Sequence, residues 1–575
     1  MFRGKPHFLT IGARVPSVRG IAAGLLALAC LAGLPAQAAA DRSQGRSMVV
    51  SRGGIVAAES PLAAQAGAMV LARGGNAIDA IVATNAVMGV VEPMMNGMGG
   101  DLFAIVYIAR TGKLYGLNAS GWSPAELTIG SLKAKGITRM PEFGIDAVTV
   151  PGAVDGWSKL LSRFGTRKLA DVLAPAIAYA RDGFPVAEWD AGYWRDASAA
   201  LHADPNLSRT YLIDGHTPRV GEVFRNPDLA RSLELVARGG RDAFYKGPIA
   251  GKIVDLSRRL GGAMTAEDLA DYSSEWVQPI STRYHGWTVY ELPPNGQGIA
   301  ALMMLNIMER FPLARYGYHS ADALHVMIEA KKLAYADLLR YVGDPRFSHV
   351  PVAGMLSKQY AAARAALINM SRASCNVEPG KPLATAGDTT YLTAVDSQGN
   401  MVSLIQSNYE EFGSRLVADH AGFVLQDRGA LFNLDPSSPD ALAGHKRPLH
   451  TIIPALMQRG DDRIAFGIMG GYNQAQAHAQ FVSNVVDYGL DIQAAMEAPR
   501  FTKKTFNGCD VTMEDRIPED VRKALSARGH EIELRGDYSE DMGGGQAVMR
   551  DYKAGVNYGA SDPRKDGEAI PQPGP

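Results

Sequence analysis

Two adjacent threonines, Thr389 and Thr390, head a segment whose residue types could carry out acyl transfer: Gly387-Asp388-Thr389-Thr390-Tyr391-Leu392-Thr393-Ala394-Val395-Asp396. A hydroxyl at a strand start can attack a carbonyl and form an ester, provided that a base takes its proton. Alternation and β-branched or aromatic residues make the run a strand. Asp396-Ser397-Gln398-Gly399-Asn400 supplies turn chemistry, and Met401-Val402-Ser403-Leu404-Ile405-Gln406-Ser407 reads as the returning strand. A hairpin centred on Gln398 puts Thr389 opposite Ser407, and directly opposed residues have Cβ atoms about 5 Å apart. Such a pair suits a chain that cuts itself. The Thr389 hydroxyl attacks the Asp388 carbonyl, water opens the ester, and the freed α-amine of Thr389 becomes the base for later turnovers. The same residues are also ordinary for an edge strand, and a slip of one residue would undo the pairing.

A nucleophile needs elements that hold it. Residues 54–58 read as a short strand, and residues 61–73 carry helical apolar spacing ended by Gly74-Gly75. Asn76 can cap a second helix that runs through Ile81 to about Val91. Gly97-Met98-Gly99-Gly100-Asp101 is a turn into a buried strand over 102–107; Gly99 and Gly100 fit tight packing. Residues from about 155 to 375 read as mostly helical, including Ala321–Tyr341, and are interrupted by polar loops and by residues 291–298. Residues 370–386 hold Pro379, Gly380 and Pro382 without periodicity and read as an exposed, mobile tether. Strands return after Thr389, with Gly-rich loops near 467–471 and 543–545. Strands at both ends and helices between them indicate a layered α/β or α+β body.

At 575 residues the chain can bury a large core, and its length suggests several domains. No long charged block and no nucleic-acid-binding signature is present, so nucleic acid is not an expected partner. Arg3, Lys5, Arg14 and Arg19 lie in residues 1–38 with no acid, so the formal charge of −1 becomes −5 without that stretch. An apolar run from Ile21 to Leu34 and Ala36-Gln37-Ala38 follow, the pattern of a secretory signal; an uncleaved anchor is the other reading. The run is short for a membrane span, so a periplasmic or secreted protein with no stable membrane association is expected. The exported chain keeps Cys375 and Cys509, which could bridge in an oxidising compartment or stay as free, buried thiols. They lack metal-ligand spacing. With no HExxH, G-x-S-x-G or P-loop in the chain, a mechanism without metal or cofactor is the expectation.

Taken together, several segments resemble the γ-glutamyltransferase (gamma-glutamyltranspeptidase, glutathione hydrolase) family of N-terminal nucleophile hydrolases. They are Ala72-Arg73-Gly74-Gly75-Asn76-Ala77-Ile78-Asp79-Ala80, Met98-Gly99-Gly100-Asp101, Val150-Pro151-Gly152, Gly343-Asp344-Pro345, Asp388-Thr389-Thr390, Phe412-Gly413-Ser414, Lys446-Arg447-Pro448-Leu449, Met469-Gly470-Gly471 and Gly559-Ala560-Ser561-Asp562-Pro563-Arg564. Their order and spread cover essentially the whole exported chain. The resemblance implies an α+β fold, a four-layer αββα sandwich made of two autoproteolytic fragments. It implies a signal peptide over 1–38, a helix-rich large subunit over 39–388 and a small subunit over 389–575, cut between Asp388 and Thr389. It also implies that Ser407 orients the nucleophile and that Gly470 and Gly471 form an oxyanion hole. By itself the Gly pair reads as a loop.

The chain departs from the family pattern where the substrate's α-carboxylate and α-amine would bind. Ser120, within Leu117-Asn118-Ala119-Ser120-Gly121-Trp122, stands in place of an arginine. Leu431 stands in place of an acid, and His450-Thr451 in place of a serine pair. Arg428 and His450 are expected to form a rearranged carboxylate clamp, with Tyr409, Thr451 and Ser120 lining the same site. Alternatively the substrate lacks the α-amine, as glutaryl-type amides do in the acylase branch. A structural ion pair with Asp427 or Asp419 is the other role open to Arg428, and Glu410 or Glu411 could receive an amine. The expected activity is cleavage of γ-glutamyl amides of the glutathione type through a Thr389 acyl-enzyme, with hydrolysis favoured over transfer. A glutaryl- or cephalosporin-type acylase and a non-catalytic binding protein are the alternatives. The expected partners are a small amide substrate and the two fragments of one precursor.

Overall fold

Period-two alternation along the strands sorts the apolar side chains into three layers, and these layers define the architecture. The computed structural model describes residues 44–378 and 388–574, without the side chains of residues 388 and 389. The expected leader, residues 1–38, lies outside the described residues. Arg46–Pro575 forms one compact unit rather than the several domains that length suggests.

Fourteen strands of this unit build two sheets. In chain order they begin with β1 (Val49–Ser51), β2 (Ile55–Ala58), β3 (Asp101–Ile108), β4 (Lys113–Ala119) and β5 (Glu275–Val277). Next come β6 (Ile280–Tyr284), β7 (Trp287–Glu291), β8 (Asp388–Val395), β9 (Met401–Tyr409) and β10 (Ala455–Arg459). The last four are β11 (Asp462–Ile468), β12 (Gly545–Asp551), β13 (Val556–Ser561) and β14 (Glu568–Pro571). The helices that matter for the site are α1 (Pro61–Ala72), α2 (Ala77–Val91), α3 (Glu188–Asp196), α4 (Gly298–Met308), α5 (Ala321–Tyr341) and α6 (Gln474–Val486).

One sheet runs β14-β2-β8-β9-β3-β4-β5 and the other β1-β13-β12-β11-β10-β7-β6. Ile55, Phe103, Tyr391 and Ile405 of the first sheet meet Leu456, Ala465 and Val548 of the second. At Gly467 the sheets approach so closely that a Cβ would lie 2.4 Å from the Tyr391 ring. Val56, Ala104, Leu392 and Leu404 point the other way, into a core shared with residues of α1 and α2. Val289, Met457, Phe466 and Ala547 share theirs with residues of α4, α5 and α6. The result is the expected αββα sandwich.

The start of α2 shows how local chemistry fixes an element. Asn76 Oδ1 accepts from the N–H groups of Ile78 and Asp79, while Asp79 Oδ2 accepts from Asn76 N–H at 2.9 Å. A cap of this kind contributes about 1 kcal/mol.

Three expectations need correction. The mostly helical stretch before residue 375 also supplies β5, β6 and β7, whose apolar alternation is short and easily read as loop. Residues 370–378 are not a mobile tether: Ala373 N–H donates to Arg528 O at 2.7 Å, and Cys375 is bonded to Cys509. Residues 379–387 lie outside the described residues. The two cysteines are therefore not free thiols, and only Cys509 is buried. They are 134 positions apart, so nothing local in the sequence reveals the bridge. No helix among the described residues is long and apolar enough to cross a membrane.

Candidate active site

The β8–β9 hairpin pairs Val395 with Met401, Leu392 with Leu404 and Thr390 with Gln406, the register that a turn centred on Gln398 requires. One step further the ladder shifts, and Asp388 pairs with Tyr409. Thr389 thus stands opposite two residues, Ser407 and Asn408, rather than Ser407 alone. The extra residue lies on β9, making a β-bulge of the kind that re-aims side chains near functional sites. Three features hold the bulge. Ser407 pairs with Asp101 on the opposite edge of β9. Gly100 passes so close that a Cβ would lie 2.6 Å from Ser407 O, and one on Gly99 would lie 2.0 Å from Val424 O. Tyr409 itself adopts φ of +83°. The tight packing expected of the Gly99-Gly100 pair is therefore present.

Ser407 is buried, and its Oγ accepts from Tyr409 N–H and from Arg428 Nη2, both at 2.8 Å. Arg428 Nη1 donates to Thr451 Oγ1 at 2.7 Å, and the guanidinium lies 4.4 Å from the centre of the Tyr409 ring. Four of the expected site residues thus meet around one cation. The ion pair considered for Arg428 does not form: Asp419 binds Arg209, and no carboxylate oxygen of the described residues comes within 4.0 Å of Arg428. Its Nε also lacks a hydrogen-bond partner. Asp427 instead accepts from Glu410 N–H at 3.1 Å, keeps Oδ2 unpartnered, and is pushed up to about 7 by burial.

His450 is turned into the fold. Its Nε2 lies 3.0 Å from Asp101 Oδ2, and its Nδ1 accepts from Ile452 N–H at 3.3 Å. That places the proton on Nε2, and burial together with Arg428 depresses the imidazole well below its usual range. Both ring nitrogens are engaged within the fold, so His450 does not present a free nitrogen beside Arg428. Burial raises Asp101 to about 7, opposed by Arg428 and by the Gly121 N–H that it accepts. Ser120 is also buried. Its Oγ accepts from Asn295 Nδ2 at 3.1 Å, and its carbonyl accepts from Arg447 Nε at 3.0 Å.

Gly470 and Gly471 have φ of +117° and +55°, conformations that favour glycine, and they lead into α6. Neither N–H has an acceptor among the described residues. Gln297 connects this turn to the rest of the site: its Nε2 donates to Gly471 O at 2.8 Å and to Thr451 O at 2.6 Å. Tyr335 from α5 donates to Gln297 Oε1 at 3.2 Å. A continuous set of contacts therefore runs Gly471–Gln297–Thr451–Arg428–Ser407. Leu431 makes none of these contacts; it lines a cavity of about 440 Å³ together with Met140, Leu449 and Tyr472.

Sequence reasoning assigned no role to Gln297, Asn295 or Asp101. Gln297 and Asn295 lie in the polar interruption at 291–298, and Asp101 in the Gly-Gly-Asp segment. The one signal available was that polar residues sit between buried apolar runs.

Known proteins resemble this chain over most of its length. The family model described as gamma-glutamyltranspeptidase matches residues 63–572. The chain is 37% identical to the glutathione hydrolase-like YwrD proenzyme of Bacillus subtilis over 516 residues, 88% of this chain and 96% of that one. It is 35% identical to the oxamate amidohydrolase proenzyme of Klebsiella pneumoniae, over 90% of this chain and 98% of that one. The crystal structure of cephalosporin acylase from Bacillus halodurans is similar with a TM-score of 0.87 and 42% identity, covering 94% of this chain and all of that one. With the motifs, the sandwich and these likenesses in agreement, the chain belongs to the gamma-glutamyltranspeptidase family.

Proposed function

We propose that this chain is an exported, self-cleaving amidohydrolase whose substrate is an amide with a carboxylate at the far end of its acyl group and no α-ammonium. One observation carries the reading: Arg428 is a fully buried guanidinium with hydroxyl partners and no carboxylate partner. A buried charge without a counter-ion is costly, and a substrate carboxylate would complete it. Leu431 offers an apolar wall where an ammonium would need an acid, and Ser120 carries no charge. Two relatives have names that fit the reading: one is an acylase, and oxamate, the substrate named for the other, has a carboxylate and no α-ammonium.

The steps follow from the residues. Thr389 Oγ1 attacks the amide carbonyl while the Thr389 α-amine takes its proton. The oxyanion is met by the Gly470 and Gly471 N–H groups, each worth about 3 kcal/mol in such a role. The tetrahedral centre collapses, the leaving amine takes the proton, and an acyl ester on Thr389 remains. Water, deprotonated by the same α-amine, opens the ester and releases the acid. Hydrolysis outweighs transfer because the clamp for an amino-acid acceptor or donor is incomplete.

A γ-glutamyl donor is the second reading, supported by Asp427, whose unpartnered Oδ2 could accept an ammonium. Mass spectrometry and reducing electrophoresis test the enzyme reading. The wild type should give a fragment that begins at Thr389, and Thr389→Ala should stay whole. Glutaryl, butyryl and γ-glutamyl p-nitroanilides then separate the substrate readings, with glutaryl expected to be hydrolysed fastest. Faster γ-glutamyl turnover would move the assignment to the second reading, and an intact wild-type chain would leave only a binding protein.

A further inference from the structure

The edge of the first sheet has a notch beside Thr389. β2 ends at Ala58, opposite Leu392, so β8 runs on past its backbone partner. The notch is closed by a carboxylate: Glu59 Oε1 accepts the Tyr391 N–H at 3.1 Å. One residue nearer the strand start, Thr390 Oγ1 donates to Glu92 Oε2 at 3.3 Å. Along an extended strand alternate N–H groups face the same edge. The Thr389 nitrogen therefore faces the edge at which Glu59 sits, because the extra residue of the bulge belongs to β9 and leaves β8 extended.

Beside these two carboxylates lies a narrow pocket of about 10 Å³, about the space of one water. Its charged lining is Glu59, Glu92, Asp190, Asp566 and Lys565. Asp190 comes from α3, and Lys565 and Asp566 precede β14. Lys565 Nζ donates to Tyr193 OH and lies 4.3 Å from the centre of that ring. Trp189 N–H donates to Asp566 Oδ2 at 2.9 Å, and Asp562 and Glu188 are the next charges outward. Four acids around one ammonium cannot all ionise at so buried a position. Burial raises Glu59 and Asp190 well above the carboxylate range and Glu92 to about 8, and it lowers Lys565. The pocket thus stays close to neutral beside the strand start. That favours an uncharged amine, the form of Thr389 that can act as a base.

We propose that Glu59 and Glu92 are positioning residues that hold the nucleophile strand at Tyr391 and Thr390 and keep the surroundings of the Thr389 α-amine uncharged. The proposal rests on the self-cleaving reading above. Its test uses the full-length protein, matured by its own cleavage. Glu59→Leu removes the acceptor for the Tyr391 N–H and is expected to lower kcat about tenfold with KM within twofold, and Glu59→Gln restores most of that loss. Glu92→Gln keeps an acceptor for Thr390 but cannot ionise. An ionised Glu92 raises the pKa of the Thr389 α-amine, so the rise of kcat with pH should begin at lower pH in Glu92→Gln than in the wild type. An unchanged kcat in folded Glu59→Leu overturns the proposal. So does a Glu92→Gln pH profile that superimposes on the wild type, which decides the matter if Glu59→Leu does not fold. A wild-type chain that stays whole instead defeats the underlying reading and is seen before any variant is made.

Discussion

Arg428 Nη2 lies 2.8 Å from Ser407 Oγ, so the cation that would bind the acyl carboxylate also holds the hydroxyl beside the nucleophile strand. On the proposed reading, substrate recognition and nucleophile orientation would be linked through one guanidinium. Its planar fork reaches Ser407 and Thr451 at once, which a lysine cannot reproduce.

Arg428→Lys should therefore lower kcat/KM for a glutaryl anilide by about 30- to 100-fold, or roughly 2–3 kcal/mol. For the neutral butyryl anilide the loss should be several-fold smaller. Equal losses on both substrates would show that Arg428 supports the fold or Ser407 rather than the carboxylate.

Gly470 is held at φ of +117°, where a side chain is strained. Gly470→Ala should swing the adjacent N–H groups away from the oxyanion and reduce kcat by about 10²-fold, with KM little changed. Steady-state kinetics on the matured protein checks this, and a change confined to KM would remove the Gly pair from the oxyanion role.

The Cys375–Cys509 disulfide joins the two sides of the Asp388–Thr389 junction. After cutting, the fragments should run as one species without reductant and as two with it. Cys375→Ser should give two species under both conditions and lose about 2–4 kcal/mol of stability. Two bands from the wild type without reductant would contradict the bridge.

Asp427 has a folded pKa of about 7 against an ordinary aspartate value of 3.8. Between these values the unfolded chain has released this proton and the folded chain has not, so stability falls as pH rises from about 4 to about 7 and is level above that. Asp427→Asn should remove a loss on the order of 2–4 kcal/mol. The variant should gain on the wild type between pH 4 and pH 7 in denaturant titrations, and a constant difference across that range would count against the buried, protonated carboxyl.

Much of the scaffold was legible because its signals are local. The alternation from Thr390 to Val395, the turn at 396–400 and the cap at Asn76 each need only neighbouring residues, and each is present as read. The bulge at Thr389 was not legible, because it depends on Gly100 and Asp101 pressing on β9 from another strand. Nor was the Arg428 environment: whether it meets Asp419 or Ser407 is a question of which loop folds over which.

Residue type and short spacing were enough for the strand–turn–strand that carries Thr389, the Gly-Gly loop and the layered class, and the family resemblance marked the positions where a glutamate-binding pattern is missing. The tertiary structure alone decided that Arg428 is buried without an acid, that His450 is locked to Asp101, that Cys375 reaches Cys509 and that Glu59 and Glu92 close the notch beside the threonines. Those contacts join residues tens to hundreds of positions apart, and only the packing of the two sheets and their helices brings such groups within hydrogen-bond or bonding distance.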